Sequence, residues 1–184
     1  MGHKGDDTKA RLLDAARDLA ESGGYYRAGL NHIIAESGAP RGSVYFHFPG
    51  GKDQLIGEAL ARSGQDIARL ISGVQSPTAD GYVTTLIEML ADRLEESAWT
   101  KGCPVATVAL DVASSNGAIQ RACSAAYASW EQALRDRLAG YGRADADELA
   151  TTVLALVEGA LILARTHRSR EPLARARHAV TRLL

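Results

Sequence analysis

The sequence predicts an all-α protein, with a small three-helix head followed by a long helix that leads into a larger helical bundle. Three observations predict it. Within each candidate segment the apolar residues recur in steps of three and four, as one buried helix face requires, and no stretch alternates with the period of two that marks a half-buried strand. Breaks fall at regular places: Gly23-Gly24, Gly38, Pro49-Gly50-Gly51, Gly73 to Pro77 and Gly140-Tyr141-Gly142. The 184 residues are 46% hydrophobic and 23% charged, and a chain of that size buries about 70% of its unfolded surface.

Taken in order, residues 1–6 read as a loose, polar start with no apolar stretch of signal-peptide type. Asp7 or Thr8 is placed to cap a first helix whose inner face is Leu12, Leu13, Ala16, Leu19 and Ala20, stopped by Gly23-Gly24. Tyr25 to Ala28 connects to a short amphipathic helix, Leu30 to Glu36, that ends at Gly38. Pro40 then suits the first turn of a third helix, where its missing N–H costs nothing. Val44, Phe46 and Phe48 are expected in the small core of this head. A long helix follows over 52–72, with Leu55, Ile56, Ala59, Leu60, Ile67, Leu70 and Ile71 on one face. Thr78 or Asp80 opens the next helix, Pro104 a short apolar one, and Ser114 to Gly117 forms a turn and cap before a helix carrying Ile119, Cys123, Tyr127, Trp130, Leu134 and Leu138. Asp145 or Asp147 begins a helix of about twenty residues, and Pro172 opens the last one, through Leu184.

The stretch from Ser37 to Lys52 contains no carboxylate, although the chain has 22 acids. It leaves Arg41, Ser43, Tyr45, His47 and Lys52 as donors on or near the side away from Val44 and Phe48. A short helix with apolar anchors, outward donors and no negative charge suits a phosphate-rich surface. Together with the preceding helix and the Gly38 turn it has the helix-turn-helix layout, the second helix being the reader. Gly42 costs this helix about 1 kcal/mol relative to Ala, which fits a backbone that must approach another surface closely. Net charge is −1, and the first 60 residues are balanced as well, so attraction to nucleic acid has to be local.

The run Gly38-Ala39-Pro40-Arg41-Gly42-Ser43-Val44-Tyr45-Phe46-His47-Phe48, with Gly51-Lys52-Asp53-Gln54-Leu55 after it, resembles the signature of TetR-type transcriptional repressors. The detailed likeness covers residues 8–60. Further on, Lys101-Gly102-Cys103-Pro104-Val105 and Val157-Glu158-Gly159-Ala160 resemble the LmrA/YxaF-like branch. Gly29 stands where the family usually has a capping Ser or Thr, Pro40 where Ser is common, and the link Pro49-Gly50-Gly51 is one residue longer than in many members. The resemblance implies a DNA-binding domain over 1–51 and a ligand-binding and dimerisation domain over 52–184, with helix 52–72 as connector. It implies that Arg41 and Gly42 face base edges, that Ser43, Tyr45 and His47 contact phosphates or sugars, and that Lys52 anchors a phosphate. The expected partners are double-stranded operator DNA, a second copy of the chain and a small hydrophobic or aromatic effector that releases the DNA. The expected location is the cytoplasm.

For the effector, Trp99, Cys103, Tyr127 and Trp130 are large or soft groups in a bundle otherwise rich in Ala, Val and Leu. Singly each reads as ordinary core; as a set they suggest an apolar cavity. Asp111 and Glu158 sit inside apolar runs and each needs a partner, which can be a helix N-terminus, an arginine such as Arg165, or a cationic ligand. A helix apolar on too many sides over 153–164 predicts a homodimer through Leu156, Ala160 and Leu163, joined by Leu173 and Val180. That run of twelve residues contains Glu158 and is too short to span a bilayer.

Cys103 and Cys123 have neither CxxC spacing nor histidine partners, so no disulfide framework and no metal site are expected. The chain lacks GxSxG, HExxH and SxxK, and Gly51-Lys52-Asp53 lacks the rest of a phosphate loop, so neither catalytic residues nor a cofactor are expected. A thiol-based redox sensor using Cys103 or Cys123 and an effector-independent DNA-binding protein stay open as alternatives. Six arginines and one acid over 165–184 read as a solvated basic face or a second nucleic-acid patch.

Overall fold

The computed structural model describes residues 2–184, with side chains from Gly5 onward. Nine helices and no strand occur among the described residues: α1 Gly2–Arg27, α2 Leu30–Ser37, α3 Arg41–His47, α4 Gly51–Gly73, α5 Ala79–Glu96, α6 Pro104–Val112, α7 Gly117–Gly140, α8 Ala146–His167 and α9 Glu171–Thr181. The loose start expected over 1–6 is helical from Gly2, and Met1 lies outside the described residues. Thr8 does not cap the first helix; it lies inside α1, buried, and accepts from Arg11. The chain divides into two packing units. The first holds the chain up to Gly64 together with Pro104–Ala126, and the second holds Gln65–Cys103 and Tyr127–Leu184.

In the first unit α1 packs against α2, α3 and above all α6. Leu12, Ile33, Val44, Phe48, Leu55 and Ile56 are fully buried there, and truncating a buried aromatic such as Phe48 to Ala costs about 3–5 kcal/mol. Arg11 donates to the carbonyl of Ser37 at 3.1 Å, and Lys9 pairs with Glu58 at 2.8 Å. These bonds tie α1 to α2 and α4. Gly38 ends α2 with φ 61°, a left-handed turn that aims α3 away from α2. Asn116 caps α7, its Oδ1 accepting from the N–H groups of Ala118 and Ile119 at 3.2 and 3.1 Å.

In the second unit α5, α8 and α9 pack together. Of the two candidate caps for α5, Thr78 accepts from the Gly81 N–H at 3.1 Å. Arg137 donates to the carbonyl of Val74 and to Tyr141, which donates to the carbonyl of Ser76, so the loop before α5 is fastened to α7. Three of the six arginines over 165–184 form ion pairs with carboxylates. Arg170 reaches Asp92 and Glu95, Arg177 reaches Glu88, and Arg175 reaches Glu171. α9 ends at Thr181, three residues before the chain does.

Two sequence expectations about α8 and α9 need correction. By length and composition α8 as a whole, 22 residues long, is long and apolar enough to cross a membrane, although the strongly apolar run within it is the twelve residues counted above; 39% of its most apolar window is buried in the chain. Leu173 and Val180 are 1% and 0% exposed, and Ala160 is buried too. They face neighbouring helices of the same chain and have no surface left for a partner. Leu156 and Leu163 are exposed, as is Ile162.

Candidate functional site

α3 presents two opposite faces. Val44 is fully buried, as is Phe48 just beyond the helix end. Arg41, Gly42, Tyr45 and Phe46 are exposed, and Ser43 and His47 are half-buried on the flank. Phe46 corrects the expectation that it belongs to the core: it is 80% exposed. At about 100° per residue it lies about 200° round the helix from Val44. The spacing alone carried that information, but an aromatic residue between two core residues reads as core. Phe46 stands edge-on to His47, their ring centroids 4.9 Å apart.

Arg41 makes no ion pair with any carboxylate among the described residues, and the stretch around it supplies none. Its side chain and that of Tyr45 border an open groove of about 400 Å³ together with Tyr26, Asn31 and His32. The groove runs past the start of α2, where Gly29 provides no side-chain cap and so leaves the first N–H groups of the helix open. Asn31 and His32 entered the sequence reading only as part of an amphipathic helix, and Tyr26 as connector. Their grouping depends on how α2 and α3 cross, which short-range pattern does not encode.

Lys52, which the family resemblance puts on a phosphate, is engaged within the chain. Its ammonium lies over the Tyr25 ring, 3.7 Å from the centroid, and 6.0 Å from that of Tyr26. Burial pushes its pKa down, against the pull of Asp53 and Asp111. Around it is a saturated polar junction. Tyr25 donates its hydroxyl to Asp53, and Asn116 donates to the other Asp53 oxygen at 2.9 Å. Desolvation, then the Asp53 carboxylate, pushes the Tyr25 phenol up to about 12. The same bond, followed by that from Asn116, holds Asp53 below the usual carboxylate range. Asp111 accepts the backbone N–H of Tyr25 at 2.9 Å. Of the partners left open for Asp111, the structure supplies the backbone at the Gly23–Gly24 break of α1.

Among the groups singled out for an effector, the second unit brings two pairs together. Tyr127 and Trp130 stack edge to face, with centroids 5.1 Å apart; Trp130 is buried and Tyr127 half-buried. Cys103 hydrogen-bonds to Glu158. The second Glu158 oxygen, Oε2, is buried and has no partner. Burial pushes the Glu158 carboxyl up, opposed by the Cys103 bond. Trp99 sits in a tight turn after α5 in which both it and Ala98 have positive φ, 64° and 50°. Such a pair is strained, and it is held by the Trp99 N–H on the Leu94 carbonyl and the Lys101 N–H on Ser97. Cys123 belongs to the first unit, buried, and desolvation pushes its thiol up, the reverse of what a reactive thiolate needs.

Comparison with known proteins agrees with this geometry. Residues 12–59 match the family described as bacterial regulatory proteins, tetR family, and residues 81–179 match the C-terminal domain of LmrA/YxaF-like transcriptional regulators. The HTH-type transcriptional regulator LmrA of Bacillus subtilis is 33% identical over 171 residues, 91% of each chain. A TetR transcriptional regulator from Legionella pneumophila has the same fold, with a TM-score of 0.84 at 23% identity over 95% of both chains. The TetR-family regulator CifR, solved as a cysteine mutant with a 26-bp double-strand operator DNA, aligns with a TM-score of 0.77 at 26% identity over 94% of both chains.

Proposed function

Because this chain belongs to the TetR family of bacterial regulatory proteins, with an LmrA/YxaF-like C-terminal domain, we propose that it is a cytoplasmic, ligand-responsive repressor. It binds a palindromic operator as a homodimer and releases it when a small effector binds in the second unit. DNA reading is assigned to residues 1–51, and effector binding and dimerisation to 52–184. Its family and relatives are transcriptional regulators, not enzymes.

The observation that carries the reading is the outward face of α3, where Arg41, Gly42 and Tyr45 are open to solvent on a helix anchored by Val44. Arg41 and the Gly42 backbone meet base edges, and Ser43, Tyr45 and His47 meet the sugar-phosphate backbone. Lys52 is engaged by Tyr25 and serves DNA binding chiefly by holding the start of α4. The dimer forms through the exposed stripe Ala155, Leu156, Gly159, Ile162 and Leu163 of α8, with steps of one, three and four that mark one helix face. Dimerisation sets two reader helices about 34 Å apart in successive major grooves.

The effector contacts Trp99, Tyr127 and Trp130 with a flat apolar body. Glu158, with a buried oxygen that lacks a partner, favours an aromatic compound that also carries a cation or a hydrogen-bond donor. No Lys or Arg lies between Gly102 and Gln120 to receive an anion. Release requires that the effector bind the DNA-incompetent state of the dimer more tightly than the competent one.

Selection of bound sequences from random duplexes tests the reading. A palindrome should be enriched by the wild-type chain, and sedimentation should show a dimer at micromolar concentration. Aromatic cations should quench tryptophan fluorescence and release the DNA, and Glu158→Gln should erase the preference for cations over neutral aromatics. Failure to enrich any sequence, or release only by sugars, nucleotides or metal ions, would refute it.

A further inference from the structure

Among the described residues no large apolar side chain is more exposed than Phe46. Its ring is not needed by the core, which Val44 and Phe48 fill from the other side of α3. It occupies the centre of the outward face, with Arg41 and Tyr45 along one flank and Ser43 and His47 along the other. Gly42 is one turn earlier on the same face. The Phe46 ring stands edge-on to His47, with centroids 4.9 Å apart, and a Cβ added at Gly42 would meet nothing within 4 Å, so the surface one turn before the ring is open.

We propose that Phe46 is a specificity-determining residue that packs its ring on thymine C5-methyl groups in the major groove. The proposal rests on the DNA-reading assignment above and adds the base it selects. The reason is chemical. Phenylalanine has no donor or acceptor, so it gains nothing from a phosphate oxygen or from the polar edges of G, C and A. Thymine is the base that offers an apolar group on the major-groove edge. Ser43, Tyr45 and His47 position the helix on the backbone, and Phe46 faces the bases together with Gly42 and Arg41.

The test uses the full-length chain and the operator it selects. Each thymine in a half-site is replaced in turn by deoxyuridine, which keeps the base pair and removes the methyl. Affinity is measured for the wild type, Phe46→Ala and Phe46→Leu, with thermal melting to confirm the fold. The wild type should lose about fourfold at one or two positions, the effect of one buried methyl. Phe46→Ala should bind the unmodified operator more weakly and show almost no further loss at those same positions, while Phe46→Leu keeps part of the effect. Equal losses in wild type and Phe46→Ala at every thymine overturn the proposal. So does a selected half-site without thymine, or a uniform weakening on all DNA in Phe46→Ala, which would place the ring on the sugar-phosphate backbone. A wild type that enriches no sequence overturns the DNA-reading assignment itself, and is recognised before any thymine is changed.

Discussion

The outward face of α3 and the junction around Gly24 use the same kinds of residue to opposite ends. Each has a glycine, a tyrosine and a cation: Gly42, Tyr45 and Arg41 on α3, Gly24, Tyr25 and Lys52 at the junction. At the junction these groups have partners inside the chain. Tyr25 donates to Asp53 and its N–H goes to Asp111, Lys52 lies over the Tyr25 ring, and Gly24 is pressed against Asp111 with φ 73°. On α3 Gly42 has open space, Arg41 pairs with no carboxylate among the described residues, and Tyr45 is 58% exposed. Residue type therefore does not separate a structural polar cluster from a recognition surface. The presence or absence of internal partners does, and under the proposed function the unpartnered face is the one offered to DNA.

The two glycines sharpen the contrast most. Gly24→Ala should destabilise the protein by roughly 1–3 kcal/mol from backbone strain alone. The new methyl would also overlap Asp111 and disturb its bond to Tyr25. Gly42→Ala should do the reverse, raising stability by about 1 kcal/mol while weakening operator binding, because the methyl occupies space that the base edges need. Denaturant melts and operator titrations of the two variants check both signs. A destabilised Gly42→Ala protein would erase the contrast.

A smaller effect is expected from Lys52→Met. Loss of the cation over Tyr25 removes about 0.5–2 kcal/mol, seen as a lower melting temperature. Operator affinity should fall less than for any variant of the α3 face. Tyr25→Phe should alter the pH dependence of stability. Tyr25 keeps its proton to about 12 in the folded chain, whereas an unfolded tyrosine loses it near 10, so its contribution is full below pH 10 and lost between about 10 and 12. Asp53, held low mainly by the same bond, contributes above the unfolded value and loses it as pH falls. Melting curves of Tyr25→Phe should therefore be flatter at both extremes than those of the wild type.

The helix order was legible because starts and stops are local chemistry. Gly38, Pro40, Thr78, Asn116 and Gly140 act within a turn of where they stand. Phe46 was misassigned although its angle to Val44 is plain in the spacing, because bulk and apolarity outweighed position. Asp111 shows a different limit: its partner is 86 positions away in the chain, and no periodicity reports such a pairing. Leu173 and Val180 were visible as apolar helix positions, but which helix would cover them depends on how α5, α8 and α9 pack. The unpaired Glu158 oxygen could be suspected from its apolar run, and only the packing around it separates it from Asp111.

The most direct test of the α3 assignment is the operator affinity of Arg41→Ala measured beside its melting temperature. Arg41 is the one long cationic side chain of α3, and a base-edge contact contributes about 1–3 kcal/mol. Affinity should fall by roughly fivefold to 150-fold with the melting temperature unchanged, since among the described residues the side chain makes no ion pair. Wild-type operator affinity in a folded Arg41→Ala protein would contradict the account.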